Sequence, residues 1–412
     1  MKRYIILLLV LSTYILHSQG RNFTANTMAT SFFVQNISIP IGSDSMRVLL
    51  TYSVCYDAVL FSKSMDGRYF GIPEIEVSYK DKDGITRKRY LSQDTIWTDD
   101  FEQTTNKRKY YKNVVEFMLL NGDYKMLATL SNSKIPRGSK VEGVLSPYQP
   151  FYLNIYGDNT DAYEFFNTSG TIPFSAPSFT FFAPDTSTHT DIHYRISKEN
   201  SKSDLDFFIA LSGDCKALTA DVVPTKEDND IILRFHTSTT KLLTFALPMN
   251  TFSIGDYNLE LRSASNEIIY NYKFTISWNE KPRSLMDANN ALEEMYLILT
   301  DDEYKEMRRG DVKRNIEIFW KEHNPKPEFL YNEAMATYFR RCDEAQTLYQ
   351  TITQSVGSKS DRGKVYKLYG KPDSVTTAMG DKNMQEIWEY NVPQKRFVFE
   401  IISAGNYVLV SE

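Results

Sequence analysis

The hydrophobic pattern of the chain changes its period near residue 281. Up to about residue 281, short runs alternate apolar and polar residues, as in Glu74–Lys80, whereas from Ser284 apolar residues recur every three or four positions. A period of two indicates half-buried strands, and a period of three to four indicates amphipathic helices. The sequence therefore predicts a multidomain, mainly β protein with a boundary near Lys281–Arg283.

The part before this boundary is predicted to hold two immunoglobulin-like antiparallel β-sandwiches, because short strands and turns follow each other without a helical stretch. The sandwiches are assigned to residues 19–150 and 178–281, and the proline-interrupted segment 151–177 is assigned as a linker region. The strand candidates are Arg47–Tyr56, Glu74–Lys80, Val114–Leu120, Tyr124–Leu130, Asp206–Ala210, Ile231–Phe235, Leu242–Leu247, Asp256–Leu261 and Tyr270–Trp278.

A short pattern recurs in both predicted sandwiches. Asn121-Gly122-Asp123-Tyr124 and Ile254-Gly255-Asp256-Tyr257 each precede an alternating strand, and Gly405-Asn406-Tyr407 resembles them near the C-terminus. In each case glycine relieves the turn and tyrosine places an aromatic ring on the inner face. The pattern is interpreted either as a trace of two related sandwiches or as a recurrent turn without common ancestry.

Residues 283–412 are predicted to form an α+β domain in which helices precede an antiparallel meander. Ser284 and Asp287 are candidates to cap the first helix, and Thr300–Glu303 has the composition of a capping box. A long helical stripe covers Glu333–Ile352. The expected strands are Lys364–Tyr369, Glu386–Tyr390, Arg396–Ile401 and Tyr407–Val410.

The N-terminus has the three regions of a secretory signal peptide. Met1-Lys2-Arg3 is basic, Tyr4–Leu16 is apolar, and polar residues follow. The apolar run is shorter than the about 20 residues that span a bilayer. The sequence predicts a cleaved signal peptide, residues 1–18, and an exported protein that is peripheral to the membrane at most.

Charge and cysteine content exclude two further classes. The 412 residues include 47 Lys and Arg and 52 Asp and Glu, a net charge of −5, which argues against nucleic acid as a partner. Three widely spaced cysteines, Cys55, Cys215 and Cys342, do not make a disulfide framework. They are predicted to be buried thiols.

A set of motifs recurs in order after residue 318, with the segments Phe319-Trp320, Asn324–Pro327, Asn332-Glu333, Tyr338–Arg341, Ala345, Gly357–Gly363, Tyr369–Asp373 and Glu386–Tyr390. This set resembles the GWxTD-domain family of Bacteroidota and related bacteria. The naming motif is degenerate here, since Ser358 stands for its Trp and Ser360 for its Thr, and Asn324 replaces an Asp. The resemblance covers about residues 283–412 and implies an exported protein of the periplasm or cell surface of a Gram-negative bacterium, without implying a defined activity.

Motifs that would indicate catalysis are incomplete. Gly357–Lys364 resembles a P-loop, but five residues separate its glycines and Val365 replaces the Ser or Thr that would hold magnesium. His189 and His193 have helical ligand spacing in a β-rich region and lack the glutamate of a zinc protease. No catalytic residue, cofactor or metal is therefore predicted.

The motif residues are predicted to hold the junction between helix and sheet. Asp361 and Arg362 are expected to pair or cap there, and Gly363 to adopt a backbone conformation closed to other residues. Gly357, Tyr369, Gly370, Pro372 and Trp388 complete this set. A second set, Phe319, Trp320, Tyr366 and Tyr390, is interpreted as core, with an aromatic contact surface as the alternative.

The function that these features favour is non-enzymatic. The expectation is a cell-envelope binding or scaffold protein that presents its GWxTD-like domain to another envelope component, an envelope protein or a glycan. The alternative is a glycan-binding or glycan-processing envelope protein. Exposed aromatic rings in a flat platform would favour glycan binding, and a deep pocket lined by carboxylates would favour a hydrolase.

Overall fold

The structure is a computed structural model that describes residues 31–412 except 108, 135–138, 157–161, 167–170, 186, 188, 190, 200–210, 352–353 and 404. The predicted signal peptide and the strand candidate Asp206–Ala210 lie outside the described residues. Contacts divide the chain into two compact units, and their described parts lie within Met28–Asn279 and Glu280–Glu412. The chain is mainly β, as predicted.

The first two large sheets of the N-terminal unit enclose a common core. Met46, Val48 and Leu50 of the central strand β2 point into this core, where they meet Ile75 and Val77 of the facing sheet. The first sheet has the order β1-β2-β8 and the second β10-β9-β5-β6. Their strands are β1 (Phe32–Ile41), β2 (Ser45–Cys55), β5 (Glu74–Lys80), β6 (Thr86–Ser92), β8 (Tyr110–Leu120), β9 (Tyr124–Ser131) and β10 (Ser139–Leu145). A small sheet, β3-β4-β7, is formed by β3 (Phe61–Lys63), β4 (Tyr69–Gly71) and β7 (Ile96–Thr98).

Two five-stranded sheets enclose a second core, with the orders β12-β11-β14-β18-β17 and β13-β20-β19-β15-β16. The predicted linker 151–177 supplies three strands to them, so it is part of the fold and not a free connection. The two predicted strands between Ile231 and Leu247 form one long strand. The strands are β11 (Phe151–Ile155), β12 (Ala162–Glu164), β13 (Ile172–Pro173), β14 (Ser178–Pro184), β15 (Ile192–Lys198), β16 (Leu211–Asp214), β17 (Lys216–Glu227), β18 (Asp230–Pro248), β19 (Gly255–Ser263) and β20 (Ile268–Ser277).

A third core joins the two pairs of sheets. Ile37, Ile39 and Leu49, on the second face of the β1-β2-β8 sheet, pack with Phe182 and Leu233 of the later sheet. Strand β2 is therefore buried on both faces, which alternation with one polar face does not predict. Its one buried charge, Arg47, donates to Glu116, Asp221 and the carbonyl of Val222.

The tyrosine of the recurrent Gly-Asp-Tyr pattern makes the same hydrogen bond in both halves of this unit. The hydroxyl of Tyr124 donates to the carbonyl of Leu120 at 2.9 Å, and that of Tyr257 donates to the carbonyl of Ser253 at 2.7 Å. Both rings are buried, and both bonds reach back four residues to the turn before the strand. The pattern thus encodes one turn-to-strand device used twice.

The C-terminal unit begins with helices whose caps are visible in the sequence. Thr300 and Glu303 form the predicted capping box. At the first helix Asp287 is the cap, while Ser284 donates to the carbonyl of Phe339 and does not cap. The helices are α1 (Ala288–Met295), α2 (Asp301–Met307), α3 (Val312–Glu322), α4 (Glu333–Tyr349) and α5 (Asp361–Tyr369).

An antiparallel sheet with the order β21-β22-β23-β24 follows, which confirms the predicted meander. The predicted strand Lys364–Tyr369 is wrong, because this segment is helix α5. Alternating apolar residues in so short a run fit either structure, and the cap at Ser360 selects the helix. The strands are β21 (Ser374–Met379), β22 (Met384–Asn391), β23 (Gln394–Ser403) and β24 (Asn406–Ser411).

The cysteines differ in burial. Cys55 and Cys342 are buried thiols, as predicted, but Cys215 is only partly buried, and all three are free. Burial raises the pKa of the Cys215 thiol to about 12, with the carboxylates of Asp214 and Asp185 adding to the shift. Each helix among the described residues is too short or too polar to cross a bilayer.

Candidate functional site

The motif segment Gly357–Gly363 forms a single 3-10 turn and then the first turn of α5. The hydroxyl of Ser360 accepts from the amide of Gly363 at 3.0 Å and donates to the carbonyl of Gly357 at 2.7 Å. A Cβ on Gly363 would lie 2.1 Å from the Gly357 oxygen. Gly363 is helical, so the expected unusual backbone conformation is wrong, and close packing of two backbones requires the glycine instead.

Asp361 connects the start of α5 to the last strand. One carboxylate oxygen accepts from the amide of Leu409 in β24 at 3.1 Å, and the other accepts from Lys364 at 2.9 Å. Burial alone would raise the pKa of this carboxyl, but the two hydrogen bonds outweigh it and hold the pKa below its usual value. Asp361 thus acts as a fixed, ionised brace between helix and sheet.

Arg362 makes the second connection, to β22 and to two aromatic rings. Its guanidinium lies 3.3 Å from a carboxylate oxygen of Glu386, which also accepts from the indole of Trp388 at 2.8 Å. The same guanidinium lies 3.4 Å from the ring centroid of Tyr407 and 5.0 Å from that of Tyr349. A planar cation between two rings and a carboxylate is a geometry that arginine satisfies and lysine does not.

Ser358, at the position of the family's tryptophan, belongs to a buried polar cluster. Its hydroxyl donates to one oxygen of Glu294 at 2.7 Å, and the ammonium of Lys367 donates to the other oxygen at 2.8 Å. Ser358 is 1% exposed, and the side chains of Glu294 and Lys367 are 8% and 4% exposed. A hydroxyl, a carboxylate and an amine meet here, but they are enclosed by the protein and paired with one another.

Gly370 ends α5 above a buried arginine. It has a φ of +80°, and a Cβ on it would lie 3.0 Å from the guanidinium of Arg341. Arg341 donates to the carbonyl of Leu368 at 2.8 Å, and burial lowers its pKa to about 10. The hydroxyl of Tyr390 donates to the Gly370 carbonyl at 2.9 Å. The turn is therefore fixed from two sides, which places the junction between helix and sheet at Gly370 and not at Gly363.

The aromatic residues singled out in the sequence lie mostly inside the domain. Trp320, Tyr366 and Tyr390 are buried, and Phe319 is half-buried with its ring 4.3 Å from that of His323. Trp388 is buried as well, Tyr369 packs on Tyr390 and Phe397, and Pro372 is buried. These rings form core, so an exposed contact surface made of the four predicted residues does not exist.

A family model matches the C-terminal part of the chain. Residues 255–410 match the model of the GWxTD domain. The C-terminal region is a GWxTD domain. The match begins at Gly255, the first residue of β19, earlier than the resemblance in the sequence, and so includes the last two strands of the N-terminal unit.

Two solved structures show only remote likeness to the whole chain. A purple acid phosphatase, PPD1, from yellow lupin seeds is 12% identical with a TM-score of 0.18, and the match covers 60% of this chain and 41% of the phosphatase chain. The BSP domain of a biofilm associated protein is 8% identical with a TM-score of 0.17, and the match covers 66% of this chain and 55% of the BSP-domain chain. The chain thus spans about half the length of these two structures. A search of curated proteins finds no match.

The polar side chains of the GWxTD motif region stabilise the packing of helices on the sheet. Its hydroxyls, carboxylates and cations bond to one another across α1, α5 and the meander. Among the described residues, no three His, Cys, Asp or Glu side chains are grouped so that they could hold a metal ion. Sequence reasoning missed Glu294, Lys367, Arg341 and Glu386, although a charge among apolar neighbours in α1 and α5 is the signal that could have identified the first two.

Replacement of Arg362 tests its role as a brace in the GWxTD domain. Arg362→Ala is expected to reduce the free energy of unfolding by about 2 kcal/mol, because Glu386 loses its cation and two rings lose their partner. Arg362→Lys should restore little of this loss. Thermal unfolding of the full chain measures both. Lys364→Ala, which removes an exposed ion pair beside it, is the control and should cost less than about 0.5 kcal/mol; equal losses would refute the brace.

Proposed function

We propose that the protein is an exported, non-enzymatic binding or scaffold protein of a Gram-negative cell envelope. In this proposal the immunoglobulin-like sandwiches and the GWxTD domain are presented to another envelope protein. The observation that supports the proposal is an exposed aromatic face on the small sheet β3-β4-β7.

The outer face of this small sheet carries apolar and aromatic side chains around Ser62, the cross-strand partner of Phe70. Phe70 and Trp97 are cross-strand partners whose rings lie 5.3 Å apart, and Trp97 is 44% exposed. Leu60 and Ile72, which directly flank the paired residues of β3 and β4, are 47% and 37% exposed. The other face carries the buried residues Ile96 and Thr98. One face of the sheet therefore belongs to the core, and the other is open to solvent.

The composition of this face favours a protein partner. The guanidinium of Arg68 lies 4.6 Å from the ring centroid of Trp97 and pairs with Asp66 at 2.8 Å. Tryptophan, other aromatic residues and arginine, surrounded by a polar rim, are typical of the energetic centre of protein interfaces. Because Arg68 already covers one side of the indole, the ring offers less free surface to a sugar.

Photo-cross-linking from this face tests the proposal. With Trp97 replaced by benzoylphenylalanine in the native host, irradiation is expected to yield one defined adduct with an envelope protein. The same group at Tyr296, which is 50% exposed but lies outside the face, is the control and should give no such adduct. The absence of a protein adduct specific to position 97 would contradict the proposal.

The second candidate is glycan binding, which the exposure of Trp97 also supports. It predicts that the mature protein sediments with polysaccharide isolated from the host envelope and that Trp97→Ala abolishes this. Sedimentation that does not depend on Trp97 would reject this candidate.

A further inference from the structure

Strand β21 is an edge of the meander without the protection that edge strands normally have. Its sequence, Ser374 to Met379, contains no charge, proline or glycine, and its five residues from Val375 to Met379 are all exposed. Natural proteins usually place lysine, proline or a bulge on such an edge, because an open edge pairs with other chains. An unprotected edge is therefore a feature that needs an explanation.

The backbone groups that this edge offers follow from the register. The amide of Gly380 donates to the carbonyl of Asn383, and pairing continues without a shift from Met379 and Met384 onward. Since hydrogen-bonded and non-hydrogen-bonded pairs alternate in an antiparallel ladder, Val375, Thr377 and Met379 direct their N–H and C=O groups away from β22. No described hydrogen bond outside the β21–β22 ladder uses the backbone of β21.

The opposite edge of the same sheet is treated differently. In β24, the amide of Leu409 donates to the carboxylate of Asp361, which occupies part of that edge. Beside it, the half-buried side chain of Arg362 packs on the half-buried ring of Tyr407, with the guanidinium 3.4 Å from the ring centroid. A motif residue of this domain therefore occupies part of the β24 edge, whereas the described hydrogen bonds show no such contact on the backbone of β21.

Two apolar side chains beside the open edge, Val375 and Met379, lie on one face with Thr377 between them. Val375 shares the inner face with its partner Trp388, yet Val375 is 52% exposed whereas Trp388 is 2% exposed. Met379 and Met384, which are paired on the same face, are 77% and 51% exposed. The helices cover the sheet over β22 and β23 and leave β21 uncovered, so an added strand would find apolar contacts at Val375 and Met379.

We propose that β21 binds an extended segment of the partner protein as a fifth strand of the meander. This deepens the proposed function, on which it rests. The segment would be apolar at the two positions that face Val375 and Met379, four residues apart on one side of the strand. Main-chain hydrogen bonds would give affinity, and these two contacts would give specificity.

The size of the edge favours a segment over a second copy of this chain. Six residues extend about 20 Å, so pairing them would bury on the order of a few hundred Å². Stable associations of folded proteins bury roughly 1,200 Å² or more. A strand from a flexible segment needs only the small area, whereas two rigid copies meeting at β21 alone would fall short of the larger one.

Photo-cross-linking along the strand tests the geometry in the full chain in its native host. The photoreactive group is placed at Thr376 or at Ala378, whose backbone groups belong to the internal ladder. The expected result is that the two positions link to residues two apart in one segment of one partner. Links to β21 of a second copy, links scattered over several proteins, or no link would overturn the proposal.

Two variants at Thr377 test the role of the free backbone. A synthetic peptide with the sequence of the linked segment should bind the mature protein, and Thr377→Pro should weaken it about tenfold or more by removing an outward N–H. Thr377→Val keeps that N–H and should bind like the parent. Proline is tolerated where the N–H of an edge strand faces solvent, so the circular dichroism of both variants should match the parent. Equal binding by both variants would overturn the proposal.

The two cross-linking experiments separate strand addition at β21 from the proposed scaffold function. If position 97 links to an envelope protein while positions 376 and 378 do not, the scaffold function is supported and strand addition is rejected. If neither surface links to a protein, both proposals are rejected.

Discussion

Glu294→Ala is expected to reduce the free energy of unfolding of the C-terminal unit by about 3–5 kcal/mol. The substitution leaves the ammonium of Lys367, 4% exposed, without its carboxylate and the hydroxyl of Ser358 without its acceptor. Removal of one member of a buried ion pair costs more than the pair contributes, because the remaining charge is neither solvated nor paired. Hydrogen exchange of peptides from α1 and α5 in the full chain reports this loss locally, which suits a protein with two units.

Two further variants separate the charge from the volume of the cluster. Lys367→Met in the Glu294→Ala background should recover much of the loss, since no unpaired charge remains in the double variant. Glu294→Gln, which keeps an acceptor for Lys367, should lie between the parent and Glu294→Ala. If the double variant is less stable than Glu294→Ala, packing and not the unpaired ammonium causes the effect.

Local sequence patterns are enough to predict those elements that depend only on neighbouring residues in the chain. Alternation identified the strands with one polar face, such as Glu74–Lys80, and the capping box at Thr300 marked the start of α2. These features depend on neighbours in the chain. Strand β2 and the pairing of Arg47 with Asp221 depend on a second sheet that packs on the first, and no local period reports that.

The error at residues 364–369 has a related cause. Val365, Lys367 and Tyr369 alternate with Tyr366 and Leu368, so the segment offers no clean polar face in either structure. In a strand Lys367 would share a face with Val365 and Tyr369, and that placement does not predict its pairing with Glu294 across α1 and α5. The motif residues Asp361 and Arg362 were recognised from their chemistry, but their partners on β22 and β24 come from tertiary structure.

The second large effect is expected for Gly363→Ala, which should reduce the free energy of unfolding by about 3 kcal/mol. A methyl group at this position would lie 2.1 Å from the carbonyl oxygen of Gly357, far inside the contact distance of two atoms. That oxygen cannot retreat freely, because it accepts from the hydroxyl and from the amide of Ser360. The cap of α5 would therefore be displaced together with the turn.

The sign of this change decides between two explanations of the glycine. In an ordinary helix, alanine in place of glycine stabilises by about 1 kcal/mol through its higher helix propensity. Because Gly363 lies in a helix, the higher helix propensity of alanine alone would make Gly363→Ala more stable. A loss of stability therefore identifies the contact with Gly357 as the cause. Thermal unfolding of the full chain gives the sign directly, and a gain in stability would show that the turn moves aside at little cost.

Gly310→Ala is the matched control for this test. Gly310 has a φ of +72° and no heavy atom within 4 Å of its added Cβ, so it isolates backbone strain from steric contact. Strain in the left-handed region costs about 1–2 kcal/mol for a residue with a side chain. If the loss at Gly363 exceeds the loss at Gly310 although its backbone is helical, the close approach of Gly357 and Gly363 is what the motif's glycines encode. The 3-10 turn would then be positioned by backbone contact, which holds Ser358 on Glu294 and Asp361 on β24.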